Sequence, residues 1–133
     1  MQARIEESVR RFGADTGTIH LREDGVLVLK AHVGIPDHVA GIIGRVPVGK
    51  GMAGLSVERN APVDSCNIQT DTSGDVRPGA KQTGVNGAIV VPIRDAAGNA
   101  CGALGIGVHR VHEYTPEETH ALLDEAARLS PAR

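Results

Sequence analysis

Aromatic side chains are almost absent from this chain, and that limits how it can fold. Its 133 residues include one Phe, Phe12, one Tyr, Tyr114, and no Trp. Aromatics usually contribute the largest single burials in a core, so the interior must be built from Val, Ile, Leu and Ala. Size does not prevent this, because a domain of such length buries roughly 65–70% of the surface its unfolded chain exposes. One domain over residues 1–133 is expected. Stacking platforms for single-stranded nucleic acid need aromatics that are missing here. A net charge of −2 leaves no basic footprint for nucleic acid or anionic lipid. Apolar runs such as Val26-Leu27-Val28-Leu29 are far too short to span a membrane, and the charged N-terminus is no signal peptide. Cys66 and Cys101 are too few for a disulfide framework. A cytoplasmic protein with two free thiols is the expectation.

Hydrophobic spacing then divides the chain. Ile5, Val9 and Phe12 recur at helical intervals, predicting a helix over 1–12 that ends at Gly13. Residues 16–22 and 26–33 read as a hairpin turning at Glu23-Asp24-Gly25, a register that sets His20 opposite Val28 and His32 opposite Thr16. Residues 36–43 suit a short helix with Val39, Ile42 and Ile43 inward, and Gly49–Gly54 leads into another helix ending near Arg59. A strand near Val63 precedes a polar stretch, 65–86, with almost no apolar period. Loops that long are more often functional than ornamental. Gly87–Arg94 and 99–109 form a second hairpin. Thr115-Pro116-Glu117-Glu118 is a capping box opening a last helix whose inner stripe is Leu122, Ala126 and Leu129. The pattern is α+β with an antiparallel sheet.

This order, with Val46-Pro47-Val48-Gly49-Lys50-Gly51-Met52-Ala53-Gly54, Val90-Val91-Pro92-Ile93 and Tyr114-Thr115-Pro116-Glu117-Glu118, resembles a GAF domain over nearly the whole chain. The resemblance implies a central antiparallel sheet of five or six strands. N- and C-terminal helices would cover one face and a loop-covered small-molecule pocket the other. One branch of that family, the free-methionine sulfoxide reductases, is enzymatic. Aligned on the glycine turn and on Ile89-Val90-Val91-Pro92, its three cysteines fall on Ile43, Ala53 and Lys81, and its substrate-binding carboxylates on Ala88, Gly105 and Gly107. Thiol chemistry without a thiolate does not proceed, so no catalytic residue and no enzymatic activity are expected. Signatures of cyclic-nucleotide and bilin-binding members are also missing.

Residue by residue, Gly49-x-Gly51-x-x-Gly54 matches a dinucleotide-binding pattern, with Asp71 20 residues beyond Gly51. The strand before it is too short and contains Pro47, and no second parallel strand ends near Asp71. A tight turn into a helix explains these glycines, and its amides would suit an anion. Cys101, Ala103, Gly105, Gly107 and His109 share one face of their strand, and Leu104, Ile106 and Val108 the other. The bulky face should meet the terminal helices with Ile89, Val91 and Ile93. The small face either makes room for a ligand or lets a loop pack close. Asp64, Cys66, Asp71, Lys81, Ala88, Val90, Cys101, Gly105 and Gly107 are therefore the expected ligand-binding residues, Cys66 and Cys101 also being a conceivable redox pair. His109, His112 and His120 lack partners for a convincing metal or haem site, so no metal and no cofactor are expected. The reading is a non-catalytic sensory domain for a small polar molecule, acting in signalling through a homodimer. Ile5, Val9, Leu123 and Ala127 are the candidate helix contacts. A dimerisation module without ligand and a degenerate redox relative of the reductases are the alternatives.

Overall fold

A computed structural model describes residues 1–129, so the last four residues of the expected domain lie outside the described part. In chain order the elements are α1 (Gln2–Phe12), β1 (Thr16–Glu23), β2 (Val26–Val33), α2 (Asp37–Ile42), β3 (Arg45–Pro47) and α3 (Gly51–Arg59). Then come β4 (Val63–Ser65), α4 (Pro78–Lys81), β5 (Gly87–Arg94), β6 (Ala100–Val108) and α5 (Pro116–Ala127). The strands form one six-stranded antiparallel sheet in the order β3-β2-β1-β6-β5-β4. The two hairpins thus meet at their β1 and β6 strands, which become the centre.

One face of that sheet carries α1 and α5. Ile19, Ile89, Val91, Ile93, Leu104 and Ile106 project from the strands and meet Ile5, Leu122 and Ala126 from the helices. This is the aliphatic core that the composition demands. Both rings join it: Phe12 packs at its edge, while Tyr114 is buried and its Oη–H donates to the Gly87 carbonyl at 3.2 Å. Burial and the nearby Glu118 carboxylate push the Tyr114 hydroxyl up to about 12. The capping box of α5 is complete, with Glu118 N–H donating to Thr115 Oγ1 at 3.1 Å and Thr115 N–H to Glu118 Oε1 at 2.9 Å. Glu125, also buried, ties α5 to α1 by accepting from Ser8 Oγ at 3.2 Å and Arg11 Nη1 at 3.0 Å.

Three expectations change here. The first hairpin turns on Asp24 and Gly25 alone, with Glu23 opposite Val26, and a bulge at Ile19/His20 shifts the register again. His20 therefore faces Leu29, and His32 faces Thr18. Secondly, Ile5 is 0% exposed, and Val9 and Leu123 pack against the same core. Val9 and Leu123 are only partly buried and Ala127 is exposed, so of the four expected dimer contacts Ile5 is the one wholly enclosed within the chain. Thirdly, the 65–86 segment is less open than its composition suggests. It contains α4, and Ile68 and Val85 join Met52 and Val63 in a small apolar cluster on the sheet's other face. Among the described residues no helix is long and apolar enough to cross a membrane.

Candidate functional site

The face of the sheet away from α1 and α5 floors a cavity of about 380 Å³. That lies near the lower end of the roughly 300–1,000 Å³ typical of small-molecule sites. Strand alternation chooses its floor. Thr16, Thr18 and His20 of β1 stand opposite Gly107, Gly105 and Ala103 of β6, and Ala88 and Val90 of β5 lie on the far side of the glycines. The walls come from Ile35, Ile42 and Ile43 around α2, from Gly51, Met52 and Ala53 at the start of α3, and from the 65–86 segment.

Both roles left open for the small face are present. A Cβ on Gly107 would stand 2.6 Å from Val85 Cγ1 and 2.8 Å from Thr16 Oγ1, so side chains approach closely there. The residues of that same floor also border the open cavity.

Four of the expected site residues come together here: Ala88, Val90, Gly105 and Gly107. Five do not line the cavity, each for a local reason. Asp64 is the outward residue of β4, whose Val63 and Ser65 point inward by the two-residue period. Cys66 is exposed just beyond that strand, where its carbonyl accepts from His112 N–H at 3.0 Å. Asp71 serves its own loop, accepting from Ser65 Oγ at 2.7 Å, from Ser73 N–H at 2.9 Å and from Ser73 Oγ. Those hydrogen bonds, led by Ser73, hold its carboxyl below the usual carboxylate range. Lys81 ends α4, and its carbonyl accepts from Gln69 Nε2 at 3.0 Å.

Cys101 is placed by a β-bulge. Ile93 pairs with Gly102 but Arg94 with Ala100, so Cys101 is the extra residue and alternation is broken at that point. Its side chain packs against the helix-side core rather than the cavity, and its Sγ–H donates to the Ile93 carbonyl at 3.3 Å. Burial, reinforced by Asp95, pushes the thiol up. Cys66 and Cys101 also lie towards opposite ends of β5, on the order of 20 Å apart at strand rise, whereas disulfide Cα atoms must approach within about 7 Å. They cannot pair within one chain in this fold.

The histidines separate clearly. His109 Nδ1 meets the Gly84 carbonyl at 3.1 Å, His112 Nε2 meets Glu118 at 3.0 Å, and His120 is exposed on α5. Among the described residues no three His, Cys, Asp or Glu side chains are grouped to hold a metal ion. His20 is different. It is 3% exposed and borders the cavity, and its Nε2 lies 2.9 Å from the Ile43 carbonyl. A carbonyl only accepts, so Nε2 carries the proton and Nδ1 is left as an acceptor; that atom is buried without a hydrogen-bond partner.

Burial lowers the His20 pKa from 6.5, against the smaller raising effect of the Ile43 carbonyl. The sign follows directly. The unfolded chain takes up a proton at higher pH than the folded one, so this stabilising contribution is complete above 6.5 and is lost as pH falls towards the folded value. In that window stability should decline with a slope approaching about 1.4 kcal/mol per pH unit. Urea unfolding of wild type and His20→Gln across mildly acidic pH checks it. Identical slopes in the two proteins would contradict it.

Thr16, Thr18 and His20 were missed by sequence reasoning, and they follow from alternation once β1 is known to adjoin β6. Arg77 and Lys81 are both basic residues of the 64–86 segment whose charge could select a ligand; the expected set holds Lys81, and it is Arg77 that lines the cavity.

The sheet and its two-helix backing are those of a known family. The GAF domain family model matches residues 1–129, and the chain belongs to that family. No protein of curated function matches the sequence. Among solved structures it resembles the GAF domain of a phosphoenolpyruvate-protein phosphotransferase from Coxiella burnetii. The TM-score is 0.81 at 24% identity, with 96% of this chain and 76% of that one covered. It also resembles the type II free methionine-R-sulfoxide reductase of Thermoplasma acidophilum (TM-score 0.79, 24% identity, 99% and 88% covered). A third is the free methionine-R-sulfoxide reductase of Neisseria meningitidis, solved with its substrate (TM-score 0.81, 18% identity, 98% and 74% covered). At such identities the likeness is one of fold, and it takes in both a GAF domain of a larger protein and free methionine-R-sulfoxide reductases.

Proposed function

We propose that this chain is a non-catalytic sensory module that binds a small molecule in the cavity between its sheet and the 64–86 segment and passes occupancy to α1 and α5. One observation carries the reading. The same three strands, β1, β6 and β5, floor the cavity with Thr18, Gly105 and Val90 and grip the terminal helices with Ile19, Leu104 and Val91. The sheet is a single layer, so a ligand that prefers one strand arrangement shifts the helix positions with it. The cavity walls also support a role without thiol chemistry, because no cysteine lines them.

Filling the cavity tests this. Ala88 is half-buried on the floor, so Ala88→Phe should occupy the space while the opposite-face core is untouched. Wild type screened by thermal denaturation against small metabolites should be stabilised by at least one of them, by about 2.7 kcal/mol at a hundredfold excess over Kd. A folded Ala88→Phe protein should lose that shift. An equal shift in both proteins would overturn the reading.

A further inference from the structure

We propose that the cavity selects a small aliphatic monocarboxylate, with its anionic head between Arg77 and the first turn of α3 and its carbon chain against the floor and α2. This rests on the cavity being a ligand site, and it adds the chemistry of the ligand.

Charge is the first argument. Among the described residues no Asp or Glu lines the cavity, and Arg77 is the one Lys or Arg that does. Its guanidinium has no ion-pair partner among the described residues, because the nearby acids are engaged elsewhere. Asp75 pairs with Arg59 at 3.5 Å, and Asp71 is held by Ser65 and Ser73. A cation at the rim of a cavity without acids favours an anion and disfavours a cation.

Position is the second. The Arg77 stem lies across Gly51, with Cδ 3.1 Å and Cγ 3.2 Å from where a Cβ of residue 51 would stand. Gly51 opens α3, a nine-residue helix with no side-chain cap and no acid in its first turn. Its amino-terminal amides carry partial positive charge. An arginine therefore lies against the positive pole of a helix that has no acid in its own first turn. An anion placed there satisfies both groups, and a carboxylate accepts from a guanidinium in two parallel bonds.

The remaining wall is the third. His20, 3% exposed, supplies an unpartnered acceptor rather than a charge, and the threonine hydroxyls are neutral. Ile35, Ile43, Val46 and Val90 make the rest aliphatic. That wall suits a carbon chain and holds no carboxylate to pair with a buried ammonium group, whose desolvation neutral acceptors alone do not offset; this sets a monocarboxylate apart from a free amino acid. The small polar molecule expected from the sequence is thus narrowed to one with a single charged end.

Four probes of equal chain length separate the possibilities in calorimetric titration: hexanoate, 1-hexanol, norleucine and hexylamine. Hexanoate should bind best, norleucine and hexylamine at least tenfold more weakly. Arg77 is exposed, so Arg77→Gln should fold normally; it should weaken hexanoate by about 10- to 100-fold and leave hexanol unchanged. Hexanoate binding no better than hexanol, or unaffected by Arg77→Gln, overturns the proposal. Hexanol binding that Ala88→Phe abolishes would leave the cavity standing as a site in that event. If none of the four binds the monocarboxylate is also excluded, and the metabolite screen then decides the cavity separately.

Discussion

Gly54→Val is expected to destabilise the protein by about 3 kcal/mol or more, at the upper end of what overpacking costs. A Cβ at residue 54 would stand 2.3 Å from the Pro47 carbonyl oxygen and 3.1 Å from Gly49 N. Neither atom can give way cheaply, because both belong to a hydrogen-bonded turn. Gly49 N–H donates to the Gly54 carbonyl at 2.8 Å, and Lys50 N–H to the Pro47 carbonyl at 3.1 Å. This is what the Gly49-x-Gly51-x-x-Gly54 spacing does here. Gly49 and Gly51 take positive φ values of 92° and 67°, and Gly54 lets α3 seat against the turn that launches it. The same turn places Gly51, Met52 and Ala53 in the cavity wall, so the variant should also bind ligand less well. Chemical denaturation measures the stability loss. A cost under about 1 kcal/mol would show that the turn yields.

Leu104→Ala should cost about 2–5 kcal/mol, the range for deleting a large buried aliphatic side chain. Leu104 is 0% exposed at the middle of the central strand, with Ile19 opposite on β1 and Val91 opposite on β5. Neighbours on both sides are fixed by ladder hydrogen bonds, which restricts collapse into the void. Val111→Ala makes the comparison, since Val111 is 61% exposed and surface substitutions of this kind usually stay within about 0.5 kcal/mol. Equal midpoints for the two variants would contradict the account of the core.

Local signals reported the fold well wherever one residue type forces one geometry. Gly87–Arg94 is a strand over the whole expected range, and the Thr115/Glu118 box opens α5 at the expected residue. The bulky face of β6 packs on the helices as alternation requires. Single-residue irregularities were not legible. The bulges at Ile19/His20 and Ile93/Arg94 each insert one residue, and one residue is enough to turn Cys101 from the cavity face to the core face. At the site, small residues on β5 and β6 were visible as such, and Ala88, Val90, Gly105 and Gly107 do floor the cavity. Of the polar residues expected from 64–86, Asp71 spends its carboxylate on Ser65 and Ser73, an engagement that no sequence pattern announces. What that segment brings to the wall is mostly small or aliphatic, with Arg77 as the exception. The scarcity of rings bears on the cavity as well as the core, since neither Phe12 nor Tyr114 lies in its wall.

The cavity, rather than the outer faces of α1 and α5, is the surface proposed to receive a small molecule. A crystal structure of the protein with whichever compound most raises its denaturation temperature tests it most directly. The account predicts density between Gly105–Gly107 and the 64–86 segment, bounded by Thr18, Val90 and Arg77. Density on the outer faces of α1 and α5, with the cavity empty, would contradict it.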